Sequence, residues 1–184
     1  MRALLLLPLI ACAAPARLGR VEAHEAGDLS PGSRAREIDV LDGGLEMRWV
    51  GGYAAFRSAP RDACSHVEVA RSPAVGFQAS QAEKIQLCPS PDGTPGRWHA
   101  EVQATSFRNA RAAVQVRDSF EYDVIVLTDG CLSVYRPGAS WRIQTPGGPV
   151  GDALRAHPEM LGAAAALGLL PLAGANNIAL AVVP

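Results

Sequence analysis

Histidine, cysteine, serine and carboxylate side chains carry most metal and nucleophilic chemistry, and in this chain they are scattered. The four histidines are His24, His66, His99 and His157. Cys64-Ser65-His66 is the one close cysteine–histidine pair, and zinc would need two more ligands at workable spacing. Cys88 and Cys131 could supply them, but no C-x-x-C or H-x-x-x-H unit supports that use. A disulfide among Cys64, Cys88 and Cys131 is the better account, so neither a metal nor another cofactor is expected. Ser65, Ser80 and Ser119 lie beside acids or histidines, yet none stands in a Gly-x-Ser-x-Gly elbow. Asp118, Glu121 and Asp123 form a small acidic cluster that reads as the wet face of a strand and turn. Gly43-Gly44 and Gly51-Gly52 read as turns, because no phosphate-binding glycine pattern surrounds them. The chain is therefore expected not to be an enzyme.

The elements that carry these residues are short and β-like. Ile38 and Val40, then Leu45, Met47 and Trp49, alternate with charged residues on either side of Asp42-Gly43, a hairpin signal. Further strands are expected at Tyr53–Phe56, Cys64–Ala70, Val75–Ala79, Lys84–Cys88, Trp98–Ala104, Ala112–Val116, Tyr122–Leu127, Leu132–Tyr135 and Trp141–Ile143. Asp129-Gly130 marks a second hairpin, and the Pro/Gly cluster from Pro89 to Gly96 a surface loop. Many short strands with no long helical period predict an all-β fold, here an antiparallel β-sandwich.

Both ends differ from this middle. Met1-Arg2, the apolar run Ala3–Ala14 and the small residues that follow have the order of an export signal, with cleavage after Ala13, Ala16 or Ala23. Leu9-Ile10-Ala11-Cys12 offers a second reading, a bacterial lipobox in which Cys12 is lipidated and anchors an envelope protein with a structural or binding role. From Met160 to Pro184 there is no charge. That stretch is expected to be an apolar helical segment packed on the sandwich. Alternatively it is a membrane tail or a removed anchor signal, which would make the chain a membrane-tethered surface domain. The expected organisation is a signal and cleavage region at 1–23, a polar leader at 24–36, the sandwich at 37–145 and a linker with apolar segment at 146–184. An exported chain of this kind is secreted and meets oxidising conditions, so one disulfide and one odd thiol follow from Cys64, Cys88 and Cys131, with the pairing open. A net charge of −1 argues against nucleic-acid binding.

Two stretches resemble the secreted β-sandwich proteins of the poxvirus immune-evasion family, which includes CC-chemokine inhibitors and a GM-CSF/interleukin-2 inhibitory factor. Val40-Leu41-Asp42-Gly43-Gly44-Leu45-Glu46-Met47-Arg48-Trp49, followed by Cys64 and Val67-Glu68-Val69, is similar to that family's glycine-rich turn, Leu-x-Met strand and cysteine. Ala113 to Tyr122, with its valine alternation and Phe-x-Tyr, is similar to a late strand, and Ile85-Gln86-Leu87-Cys88 to one ending in cysteine. The likeness runs from about Ile38 to Gly130, and the arginine-, alanine- and glycine-rich composition suits the parapoxvirus branch. It implies a viral protein that binds a host cytokine or chemokine and blocks receptor engagement. In such an interface a few aromatic and arginine residues dominate. The candidates are Tyr53, Phe56, Arg57, Tyr135, Arg136 and Trp141.

Overall fold

The computed structural model describes residues 15–26, 36–49, 52–58, 64–71, 81–108, 112–170 and 175–184. Among these residues eleven strands close into one barrel. They are β1 (Arg17–Glu25), β2 (Arg36–Leu41), β3 (Gly44–Trp49), β4 (Gly52–Ser58), β5 (Ser65–Arg71), β6 (Gln81–Pro89), β7 (Arg97–Arg108), β8 (Ala112–Val126), β9 (Leu132–Arg136), β10 (Ala139–Gln144) and β11 (Asn177–Val182). Between β10 and β11 lie two short helices, α1 (Gly148–Ala156) and α2 (Pro158–Ala166).

The alternation in the sequence is the pleat of this wall. Ile38, Val40, Leu45, Met47, Ala54, Phe56, Val67, Val69, Ile85 and Leu87 point inward and are buried, while Glu37, Arg48, Tyr53, His66, Glu68 and Lys84 are exposed. Asp42-Gly43 makes the turn between β2 and β3, with Leu41 opposite Gly44 and Gly43 at φ +68°. Asp129-Gly130 turns β8 into β9 in the same way, with Gly130 at φ +81°. Every successive pair from β1 to β10 is antiparallel, as is β1 with β11, but β10 and β11 run parallel. An odd ring cannot alternate direction all the way round, so at least one parallel neighbour is forced.

A parallel pair needs a long crossover, and here the crossover runs through the middle of the barrel. β10 finishes at the end of the barrel where β5 begins, and β11 starts at the opposite end, beside the close of β1. Helix α1 packs against β1 and β2, with Val150 against the bare face of Gly19. Helix α2 then crosses the lumen. All of its residues from Glu159 to Ala166 are buried, on every face of the helix, as expected of a helix with no wetted side. Its small side chains let it fit among large inward-facing ones: a Cβ on Gly162 would lie 2.2 Å from Val124 and 2.9 Å from the Tyr122 ring. Pro158 opens the helix and Glu159 stands in its first turn, both favourable at an N-terminus. Gly168 at φ +69° ends it, its N–H on the Ala165 carbonyl and that of Leu169 on Ala164.

Two expectations are corrected. The fold is all-β but a closed barrel rather than a sandwich: β1 pairs with both β2 and β11, so no edge remains. Alternation records one wet and one dry face, which sandwich and barrel share, and does not record which strands become neighbours. The expected helical C-terminal segment is also replaced, by the nine-residue α2 inside the barrel and by β11 in its wall. Ala and Leu there serve the lumen and the inward face of a strand. Among the described residues no helix is long and apolar enough to cross a membrane. The outer wall carries charge where a membrane barrel would face lipid with apolar side chains. Examples are the cross-strand pairs Arg20–Asp39 at 2.9 Å and Arg97–Asp123 at 2.8 Å. Residues 1–14 of the expected signal region, Cys12 among them, and the expected strand Val75–Ala79 fall outside the described residues. Strand β1 occupies Arg17–Glu25, so cleavage after Ala13 or Ala16 leaves it whole and cleavage after Ala23 removes most of it.

Candidate functional site

The barrel separates the six anchor candidates by pleat. Tyr53 and Tyr135 point outward and are 44% and 53% exposed. Phe56 points inward and is fully buried in the core, so it holds β4 to the interior. Arg57 is half-buried on the outer wall, where it pairs with Glu46 and donates to the Phe56 carbonyl at 2.9 Å. Arg136 turns inward: it donates to the Ala166 carbonyl and its guanidinium lies 5.7 Å from the centre of the Phe120 ring. Trp141 is half-buried against the core. Only the two tyrosines therefore present a face to a partner, and β4 and β9 stand five steps apart in the ring of eleven. The structure does not bring them together.

Each tyrosine has its own surroundings. Tyr135 lies opposite Asp123, and Ser133 opposite Ile125, which makes Ile125 and Tyr135 diagonal neighbours within side-chain reach. Ile125 is 56% exposed, so the two share the outer face of β8–β9, flanked by the Arg97–Asp123 pair. Tyr53 lies opposite Arg48 beside a shallow depression of about 440 Å³ over β3 and β4 that Glu46, Arg48, Trp49 and Ala55 help to line. The Arg36 guanidinium covers Trp49 at 4.8 Å. Sequence reading missed Ile125 as a surface residue, whereas Trp49, on the side of β3 that carries Leu45 and Met47, packs partly buried against the core. Ile125 was legible in part, since alternation turns it away from buried Val124, although Val126 at the end of β8 is also exposed.

Chemistry-bearing residues do converge at one place, inside the wall. The Ser65 hydroxyl donates to Glu159 Oε1 at 2.9 Å, His157 Nδ1 lies 3.4 Å from the same oxygen, and the Tyr122 hydroxyl donates to the Glu159 carbonyl at 2.9 Å. Ser65 and Glu159 are 5% and 4% exposed. Burial, and then the Glu159 charge, push the Tyr122 phenol well above its ordinary range, which keeps it a neutral donor. A hydrolytic triad places the imidazole between hydroxyl and acid. Here the carboxylate stands between serine and histidine, so the serine proton points at a weak base. This arrangement pins the start of α2 to β5 and β8. It was invisible in the scattered positions Ser65, His157 and Glu159, because a chain that folds back through its own lumen joins residues almost a hundred positions apart.

Among the described residues the cysteines resolve into one pair and one thiol. Cys64 and Cys88 are disulfide-bonded, with Cα atoms 4.2 Å apart, and Cys131 is free and buried. The Cys131 N–H donates to Asp129 Oδ1 at 3.0 Å, and that bond is the main reason the Asp129 carboxyl is held below its usual range. Among the described residues no group of histidines, cysteines and acids could hold a metal ion. Comparison with family models, with curated proteins and with solved structures finds no match for this chain.

Proposed function

We propose that the chain is an exported, non-catalytic binding protein that engages another protein through the outer wall of its barrel. One observation carries this reading. The lumen, where a barrel would hold a small ligand or a channel, is filled by α2, while Ile125 and Tyr135 stand side by side outside it, each more than half exposed. An exposed aromatic beside an aliphatic, rimmed by a charged pair, has the make-up of an interface centre. The Cys64–Cys88 disulfide fits export into an oxidising compartment.

A host cytokine or chemokine is the proposed ligand, blocked from its receptor by occlusion. This finer reading rests on the resemblance to the poxvirus immune-evasion proteins, whose implied sandwich the barrel does not reproduce. Surface resonance with the purified chain against a panel of mammalian cytokines and chemokines tests it. Binding should fall by about tenfold or more in a Tyr135→Ala/Ile125→Ser variant, the loss of a central interface residue. Failure of every panel member to bind removes the cytokine proposal. Binding that is indifferent to Tyr135 and Ile125 moves the interface elsewhere.

A further inference from the structure

We infer that the Cys64–Cys88 disulfide is a redox latch on the lumen helix, and that its reduction releases the grip of Ser65 on Glu159 and loosens the N-terminal end of α2 from β5. Strands β5 and β6 are already matched residue for residue from Ser65–Leu87 to Arg71–Gln81. The cross-link therefore adds little to their pairing as such. What it controls is the very end of β5. Ser65 is the first residue of that strand, and strand ends are the places that open first. Cys64, immediately before it, is tied across to Cys88, so Ser65 cannot fray while the disulfide is intact.

Ser65 is also the wall's direct side-chain hold on Glu159, through the 2.9 Å bond to Oε1. Two other contacts meet Glu159 at that end. His157 belongs to the same chain segment as Glu159, and the Tyr122 hydroxyl reaches only its carbonyl. At the other end, Arg136 donates to the Ala166 carbonyl and Arg36 to the Leu169 carbonyl, contacts remote from either cysteine. Reduction thus removes the hold of β5 on the helix and leaves that of β8, through the Tyr122 hydroxyl on the Glu159 carbonyl, together with the C-terminal contacts.

Both half-cystines are only half-buried, so a reductant can reach them. A dithiol thiolate attacks one sulfur, expelling the other as a protein thiolate and forming a mixed disulfide. The second thiol of the reductant closes on its own sulfur and expels the remaining protein thiolate. The chain gains two thiols, and the reductant leaves as a cyclic disulfide.

Hydrogen–deuterium exchange of the whole chain, oxidised and then reduced in place with dithiothreitol, reads the latch directly. Reduction should speed exchange of the α2 amides by about tenfold or more, the scale of one lost hydrogen bond to a charged group, with β2, β3 and β9 unchanged. Ser65→Ala with the disulfide intact should reproduce the same local change. Unaltered α2 protection on reduction, α2 protection retained in Ser65→Ala, or all strands opening together with α2 would each overturn the inference.

Discussion

Glu159 is a carboxylate placed where a carboxylate is hard to keep. It is tolerable there because a hydroxyl, an imidazole and the start of a helix all meet it. Glu159→Ala strips those partners and leaves Ser65 buried with nothing to donate to. We expect a loss of about 1–3 kcal/mol in urea unfolding. Gly162→Ala tests the tightness of the same helix against Val124 and Tyr122. Because no flexible chain end stands in the way, overpacking should cost about 1–3 kcal/mol by the same measurement. The two aromatics of β4 make a sharper pair. Phe56→Ala should destabilise by about 3–5 kcal/mol, and Tyr53→Ala by no more than about 0.5 kcal/mol. Equal effects would mean that the pleat of β4 is misassigned. Residue type alone singled out both, since an aromatic in an alternating strand fits core and surface alike. Which of them was wet depended on register, and register depended on neighbours that the local pattern does not name.

Strands were the legible elements. Alternation located β2 to β7 and both hairpin turns, because Asp-Gly and a period of two are local signals with local causes. It divided β8 between Val116 and Tyr122, where polar and charged residues interrupt the valines, although the strand runs unbroken from Ala112 to Val126. Strand β1 was hidden beneath small residues that resemble a cleavage region. In the structure Val21 and Ala23 are core residues and Arg20 faces Asp39 across to β2. That pair yields a pH prediction. Arg20 donates to both Asp39 oxygens, at 2.9 and 3.2 Å, and this holds the Asp39 carboxyl below its ordinary range. A carboxyl depressed in the folded state contributes stability above its unfolded pKa and loses it as pH falls through the folded value. Urea midpoints should therefore drop from about pH 4 downward, and Asp39→Asn should flatten that part of the fall. An Asp39→Asn profile parallel to the parent's would assign the acid sensitivity to other carboxylates.

For the molecule as a whole, closure decides what kind of surface is left. A ring of strands has no exposed backbone edge, so partners must meet side chains. The outer wall is where those side chains vary, from the charged ladders of β1 to β3 to the apolar pair on β8–β9. Deleting residues 175–184 removes β11 and bares β1 and β10 together. Size-exclusion chromatography should then show species larger than the parent chain gives, or aggregates. A monomeric truncated chain would show that β1 and β10 can seal the wall unaided. No pattern along the sequence announced this closure, because it is a relation between the first strand and the last.

The path of the chain through its own centre also fixes an order of events. The segment that fills the barrel leaves the ribosome before the strand that shuts it, so a nascent chain carries an open seam beside β1 until its last strand emerges. A barrel zipped early would exclude its own filling. Sealing must therefore wait for β11, and the final step of maturation joins the two regions farthest apart in the message, a slow kind of contact to make.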